Sequence, residues 1–178
     1  MLIIFWYIIF LPLIKMNRDI AFEILFHLDD YQFIQLCKTN TFFNDICNDP
    51  LLWIKKINHL NVDFPTSLSL TPIEWKNVYY KIKNNDLNAI VTWSKINHFH
   101  SVMVWLEQYY IEKIKTTITP IIGPSIVNIR LDHRYNKNFD KVQYLQNLLY
   151  VIDIIIQNQT EDAKDIILDM PLLQIHLL

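Results

Sequence analysis

Between Met16 and Lys56 the apolar positions fall in short groups at helical spacing, each preceded by its own start signal. Ile20, Ile24, Leu25 and Leu28 share one face of a first predicted helix, which Asn17 can cap. Asp29 can cap a second, with Gln32 three residues on as a loose capping box. A third opens at Asn40 or Thr41 and carries Phe42, Phe43, Ile46 and Cys47. Asp49 and Pro50 then pair an N-cap with proline at the first helical position, where its missing N–H costs nothing. That fourth helix holds Leu52, Trp53 and Ile57. In the first helix Ala21, Phe22 and Phe26 lie off the predicted face, leaving little but Asp19, Glu23 and His27 for water. A bundle this small buries one stripe per helix, not two. The surplus predicts that a second protein covers it.

On either side the pattern changes. Leu2 to Ile14 is almost wholly apolar, but it is shorter than the ~20 residues of a membrane-spanning helix and contains Pro12. It also lacks the basic leader and small-residue cleavage site of a secretory signal. Three readings stay open. Met16 is the true start, or the stretch is a short membrane anchor, or it packs as an added helix. The first is preferred; in the second, Lys15 and Arg18 favour a cytoplasmic body. Residues 58–70, with Pro65 and several Ser and Thr, read as a linker. Thr71, Pro72 and Glu74 then form a capping box with proline at the first position, starting a helix with Trp75, Val78, Tyr79 and Ile82 on one face.

Farther on, Asn85 or Asp86 starts a helix with Leu87, Ile90 and Val91 that ends near Asn97. Another, Ser101 to Lys115, sets Val102, Trp105, Leu106 and Tyr109 at helical spacing. The two make an ordinary helical hairpin. Pro120, Gly123 and Pro124 break the pattern after Thr116. Ser125 to Leu131 partly alternates as a strand would, with no obvious partner strand. The polar stretch from Asp132 to Asp140 is expected to be a loop. Lys141 to Gln157 resumes as an apolar helix through Val142, Leu145, Leu148, Leu149, Ile152, Ile155 and Ile156. Thr160, with Glu161 and Asp162, can open a last one, and the tail from Leu172 to Leu178 is apolar enough to pack. The fold class is therefore mainly α: a helical bundle over 16–57, the linker, and a helical region over 71–178 with one irregular or short-strand segment.

Composition narrows the chemistry. At 52% hydrophobic and 13% aromatic residues the 178-residue chain is not disordered, and it has room for one domain or two small ones. A net charge of −2 leaves no basic face concentrated enough for nucleic acid. Cys37 and Cys47 occupy apolar positions of predicted helices and are expected to be buried and reduced, although spacing alone does not exclude a disulfide. Phosphate-binding loops, dinucleotide fingerprints and nucleophile elbows each need several glycines, and Gly123 is the only one. Histidines 27, 59, 98, 100, 133 and 176 bring no third or fourth convergent ligand for zinc. Asp132 and His133 have no nucleophile beside them, Asn158 to Thr160 matches a glycosylation acceptor that a helix cap already explains, and Lys55, Lys56, Lys81 and Lys83 read as solvated helix ends. No catalyst, cofactor or metal is expected.

The run E-I-L-x-x-L (Glu23 to Leu28), then F-x-x-L-C-x-x-N (Phe33 to Asn40) and F-x-x-I-C-x-D-x-x-L-W (Phe43 to Trp53) resembles an F-box. The W-K-x-x-Y phrase from Trp75 is similar to the segment after the box in related proteins, where it packs back on it. The family's opening Leu-Pro would fall at Met16 and Asn17, a departure that bears on partner affinity more than on fold. The bias toward Ile, Asn, Lys, Phe and Tyr looks like an AT-rich genome, and with the motif it resembles F-box proteins of large DNA viruses that infect protists. The resemblance implies a non-catalytic substrate receptor of a cullin–RING ubiquitin ligase in the cytoplasm, bound through a Skp-type adaptor to a cullin and capturing a protein substrate. Ile20, Ile24, Leu25, Leu28, Phe33, Leu36, Ile46, Leu52 and Trp53 would face or support that adaptor. The rival reading is a small helical structural or membrane-associated protein, with membrane contact through residues 2–14.

Overall fold

The computed structural model describes residues 17–39, 41–131, 140–158, 162–171 and 173–177. The apolar stretch 2–14, Met16, Asn40, Asp132, His133, Thr160 and Glu161 lie outside them. The fold is mainly α: among the described residues there are nine helices and a two-stranded antiparallel sheet. The chain divides into two compact units, Met1–Asp86 and Leu87–Leu178.

The first unit holds α1 (Arg18–His27), α2 (Asp30–Thr39), α3 (Thr41–Cys47), α4 (Pro50–His59) and α5 (Pro72–Lys83). Its start signals work as the side chains require. Asn17 accepts the Asp19 amide. Asp29 accepts that of Gln32 at 2.8 Å. Asp49 accepts that of Leu51, with Pro50 behind it. At α5 the capping box is complete: Thr71 accepts the Glu74 amide, and the Glu74 carboxylate accepts the Thr71 backbone N–H at 2.8 Å. Asn61 and Asn85 take left-handed backbone (φ 54° and 55°) just past α4 and α5. Asparagine tolerates this conformation, and in this chain it does a task usually given to glycine. Asn85, a candidate start signal, therefore closes α5: its N–H reaches Ile82 and that of Asp86 reaches Lys81.

Two expectations are corrected in this unit. Residues 58–70 are not a loose linker, because Phe64 and Leu70 are buried and the Phe64 ring stands edge-on to Trp75. That segment fastens α5 to the bundle, so the boundary lies after Asp86. Trp53 meets Tyr79 and Tyr80 of α5, with ring centroids 5.7 and 6.1 Å away. The cysteines are also not free: Cys37 and Cys47 form a disulfide that joins α2 to α3, their Cα atoms 6.0 Å apart. Helical periodicity places each cysteine on an apolar face, and only the closing of the α2–α3 hairpin makes the two faces meet.

The second unit comprises α6 (Leu87–Ile96), α7 (His100–Ile122), β1 (Ile126–Leu131), α8 (Lys141–Gln157), α9 (Ala163–Leu168) and β2 (Leu173–Leu177). His98, at φ 54°, and Phe99 close α6 by the same geometry that ends α5. The α7 helix runs seven residues past its predicted end at Lys115, through Pro120. Ile114, Ile118 and Ile122 are buried at successive i+4 positions, and that burial outweighs the bond the proline removes. Its buried stripe also includes Val102, Leu106 and Tyr110, whereas Trp105 and Tyr109 are half-exposed and pair with each other. Gly123 ends the helix at φ 107°, where a side chain would strain the backbone. The predicted strand finds its partner in the C-terminal tail, with Ile129 opposite Ile175 and Leu131 opposite Leu173. Asp140 caps α8 by accepting the Gln143 amide, and Val142, Leu145, Leu148 and Ile152 form its inner face. No described helix is long and apolar enough to cross a membrane.

Candidate docking surface

The leftover apolar surface belongs to α1. Its small Ala21 and its Leu25, one turn apart, are fully buried where α1 packs on α3 and α4. The expected Ile20–Ile24–Leu28 face is thus turned by one residue, because alanine lets the helix backbones approach where isoleucine would hold them apart. Ile20 is left 57% exposed. Phe22, Ile24, Phe26 and Leu28 are each half-covered.

Ion pairs set the helix in place. Arg18 meets Asp49, the N-cap of α4, at 2.9 Å. Glu23 pairs with Lys55 of α4, whose ammonium lies 5.4 Å from the Phe22 ring centroid and 4.9 Å from that of Phe26. The hydrogen bond from Lys55 holds the Glu23 carboxyl below its usual range. On the other side of Phe26, the His59 ring packs edge-on with a centroid separation of 5.1 Å. The result is an aromatic and aliphatic shelf, bordered by charges that are already paired.

The nine expected interface residues divide by depth. Leu25, Phe33, Leu36, Ile46, Leu52 and Trp53 are buried and can only support the shelf. Ile24 and Leu28 are partly open, and Ile20 projects. Phe33 and Trp53 stack edge to face, and the Trp53 indole N–H donates to the Cys47 carbonyl at 2.9 Å. Tyr31, Leu51 and Ile73 are further exposed apolar side chains of this unit.

Lys56 overturns an expectation. Rather than a solvated helix end, it is 6% exposed, with its ammonium 4.7 Å from the Phe33 ring centroid and 5.7 Å from that of Tyr79. Burial pushes its pKa below the usual lysine range, and the nearby Asp30 carboxylate opposes the fall. Asp30 itself pairs with Lys83 at 2.6 Å, and that bond raises the Lys83 pKa. Lys56 lies four residues from Leu52 and three from Trp53, on the inner side of α4, which was the available signal. Among the described residues no group of three or more His, Cys, Asp or Glu side chains could hold a metal ion. Comparison with protein-family models, with curated proteins and with solved structures found no match.

Proposed function

We propose that the first unit is a docking module of the F-box type. The chain then serves a cullin–RING ubiquitin ligase as a substrate receptor without chemistry of its own. The observation that carries this reading is the outward face of α1: Ile20 projects while Ala21 and Leu25 take the inward places, so the helix keeps apolar surface that its own bundle does not cover. The spaced anchors from Glu23 to Trp53 support the same reading. A Skp-type adaptor would occupy the shelf, and a target held elsewhere on the chain would be brought to a charged conjugating enzyme by raised effective concentration.

Affinity purification of the full chain from cells expressing a Skp-type adaptor tests this. The wild-type chain is expected to recover the adaptor, and Ile20→Asp is expected to lose at least nine-tenths of it. Because Ile20 is open to solvent, the substitution should leave the far-UV circular dichroism unchanged. No adaptor with the wild-type chain, or equal recovery by both, rejects the proposal.

A further inference from the structure

Away from α1, unit 1 carries a second surface feature. An open cleft of about 410 Å³ lies between the α2–α3 hairpin and the start of α5. That is within the ~300–1,000 Å³ of ligand pockets. Its apolar lining is Ile34, Pro72 and the disulfide-bonded Cys37, with Cys47 and the almost fully buried Phe33 and Trp53 beneath them. Ile73, 67% exposed, stands at the rim. The Trp53 indole N–H is already bonded to the Cys47 carbonyl, so Trp53 brings no free polar group to the cleft.

The polar groups are one-sided in charge. Lys38 and Lys76 both line the cleft, and none of the lining residues is acidic. Neither lysine belongs to an ion pair among the described residues, whereas Lys55, Lys83, Lys95 and Lys141 each have a carboxylate. The Lys76 ammonium sits 6.0 Å from the Trp53 ring centroid. Between the lysines, the Asn48 amide donates to the Asn44 side-chain oxygen at 3.3 Å. That bond leaves the Asn44 N–H₂ and the Asn48 oxygen for a peptide backbone.

We propose that this cleft binds a short acidic peptide segment: one branched apolar side chain against Ile34, Pro72 and Ile73, flanking carboxylates on Lys38 and Lys76, and main chain on Asn44 and Asn48. Two lysines facing an acid-free, half-apolar cleft are complementary to that ligand. A simple anion would satisfy the lysines and leave the apolar side wet. The inference uses no residue of α1 and stands whether or not an adaptor binds there.

Fluorescence anisotropy on the full chain, without reductant so that the disulfide wall is intact, provides the test. The probe is fluorescein-labelled Asp-Glu-Leu-Glu-Asp, with Asn-Gln-Leu-Gln-Asn and Asp-Glu-Gly-Glu-Asp as controls. Saturable binding of the first is expected, with each control at least tenfold weaker and affinity falling as salt rises. Lys38→Glu with Lys76→Glu should weaken binding at least tenfold, as should Ile73→Asp at its exposed position. The same charge change at Lys113→Glu with Lys164→Glu, outside the cleft, should not. No saturable binding, equal binding of the glycine peptide, equal loss in the Lys113/Lys164 variant, or displacement by millimolar inorganic phosphate would each overturn the proposal.

Discussion

Lys56 is the residue whose surroundings depart furthest from its type. A buried ammonium loses hydration, and stacking on Phe33 and Tyr79 returns only part of it, on the order of 2 kcal/mol. Its folded pKa is lowered, so between that value and the ordinary lysine value the unfolded chain holds more protons. Stability therefore rises with pH across that window, and the penalty is fully present below it. Tyr79 and Lys83 act in the opposite sense: their pKa values are raised, and the stability they contribute is lost as pH rises through them. Lys56→Met isolates the first effect. We expect its urea midpoint at pH 7 to match or exceed wild type, by ~1 kcal/mol in stability, with the gap closing toward pH 10.5. A loss of more than about 1 kcal/mol at pH 7 would show that the cation–π contacts dominate.

Among elements, α5 has the most complete local start. Thr71→Ala should cost ~1 kcal/mol, with Thr71→Ser close to wild type. Thr71 holds the Glu74 carboxyl below its usual range of about 4.5 through its backbone N–H and hydroxyl. That contribution is present above the ordinary carboxylate value and fades as pH falls through the lowered one. Urea titrations at pH 7 and pH 3 should therefore narrow the gap between Thr71→Ala and wild type at the lower pH by the share the hydroxyl's bond to the Glu74 carboxylate carries, while the share from the Glu74 amide persists. The α2–α3 hairpin depends on a covalent constraint as well as on caps. Closing a loop across 10 residues restricts the unfolded chain by roughly 2–3 kcal/mol. Cys37→Ser with Cys47→Ser should lower stability by about that much in equilibrium unfolding, and a change below ~0.5 kcal/mol would mean the bridge constrains little.

At the scale of the whole molecule, each unit closes on itself differently. The first joins its ends by helix packing and the Asp30–Lys83 ion pair, whereas the second ties residues 126–131 to 173–177 by strand pairing. Ending the chain after Asp169 removes β2 and uncovers Ile129 and Leu131. Hydrogen exchange should then speed up across α7 and β1 and stay unchanged over residues 17–86. Faster exchange in both units would instead mean that they unfold together. The disulfide also bears on environment: such a bond persists where the surroundings are oxidising and is lost to cellular thiols elsewhere. Mass spectrometry after alkylation of the natively expressed chain reports which state it keeps.

Much of the helical scaffold was legible along the chain because its causes are local. Asn17, Asp29, Asp49 and Thr71 start helices through bonds that span two or three residues, and the period of α8 needs no partner to be read. Everything set by distant neighbours required the third dimension. Packing on α3 and α4 chose Ala21 over Ile20 for the inside of α1, so the open shelf adds Ile20 to the Phe22 and Phe26 that periodicity already places there and loses Ala21. Burial of Ile118 and Ile122 carried α7 through a proline, and a tail more than forty residues away completed β1. The pairing of Cys37 with Cys47, the enclosure of Lys56 and the acid-free cleft beside Trp53 arise from helices brought together, because a contact between faces is a property of both faces and of the distance between them.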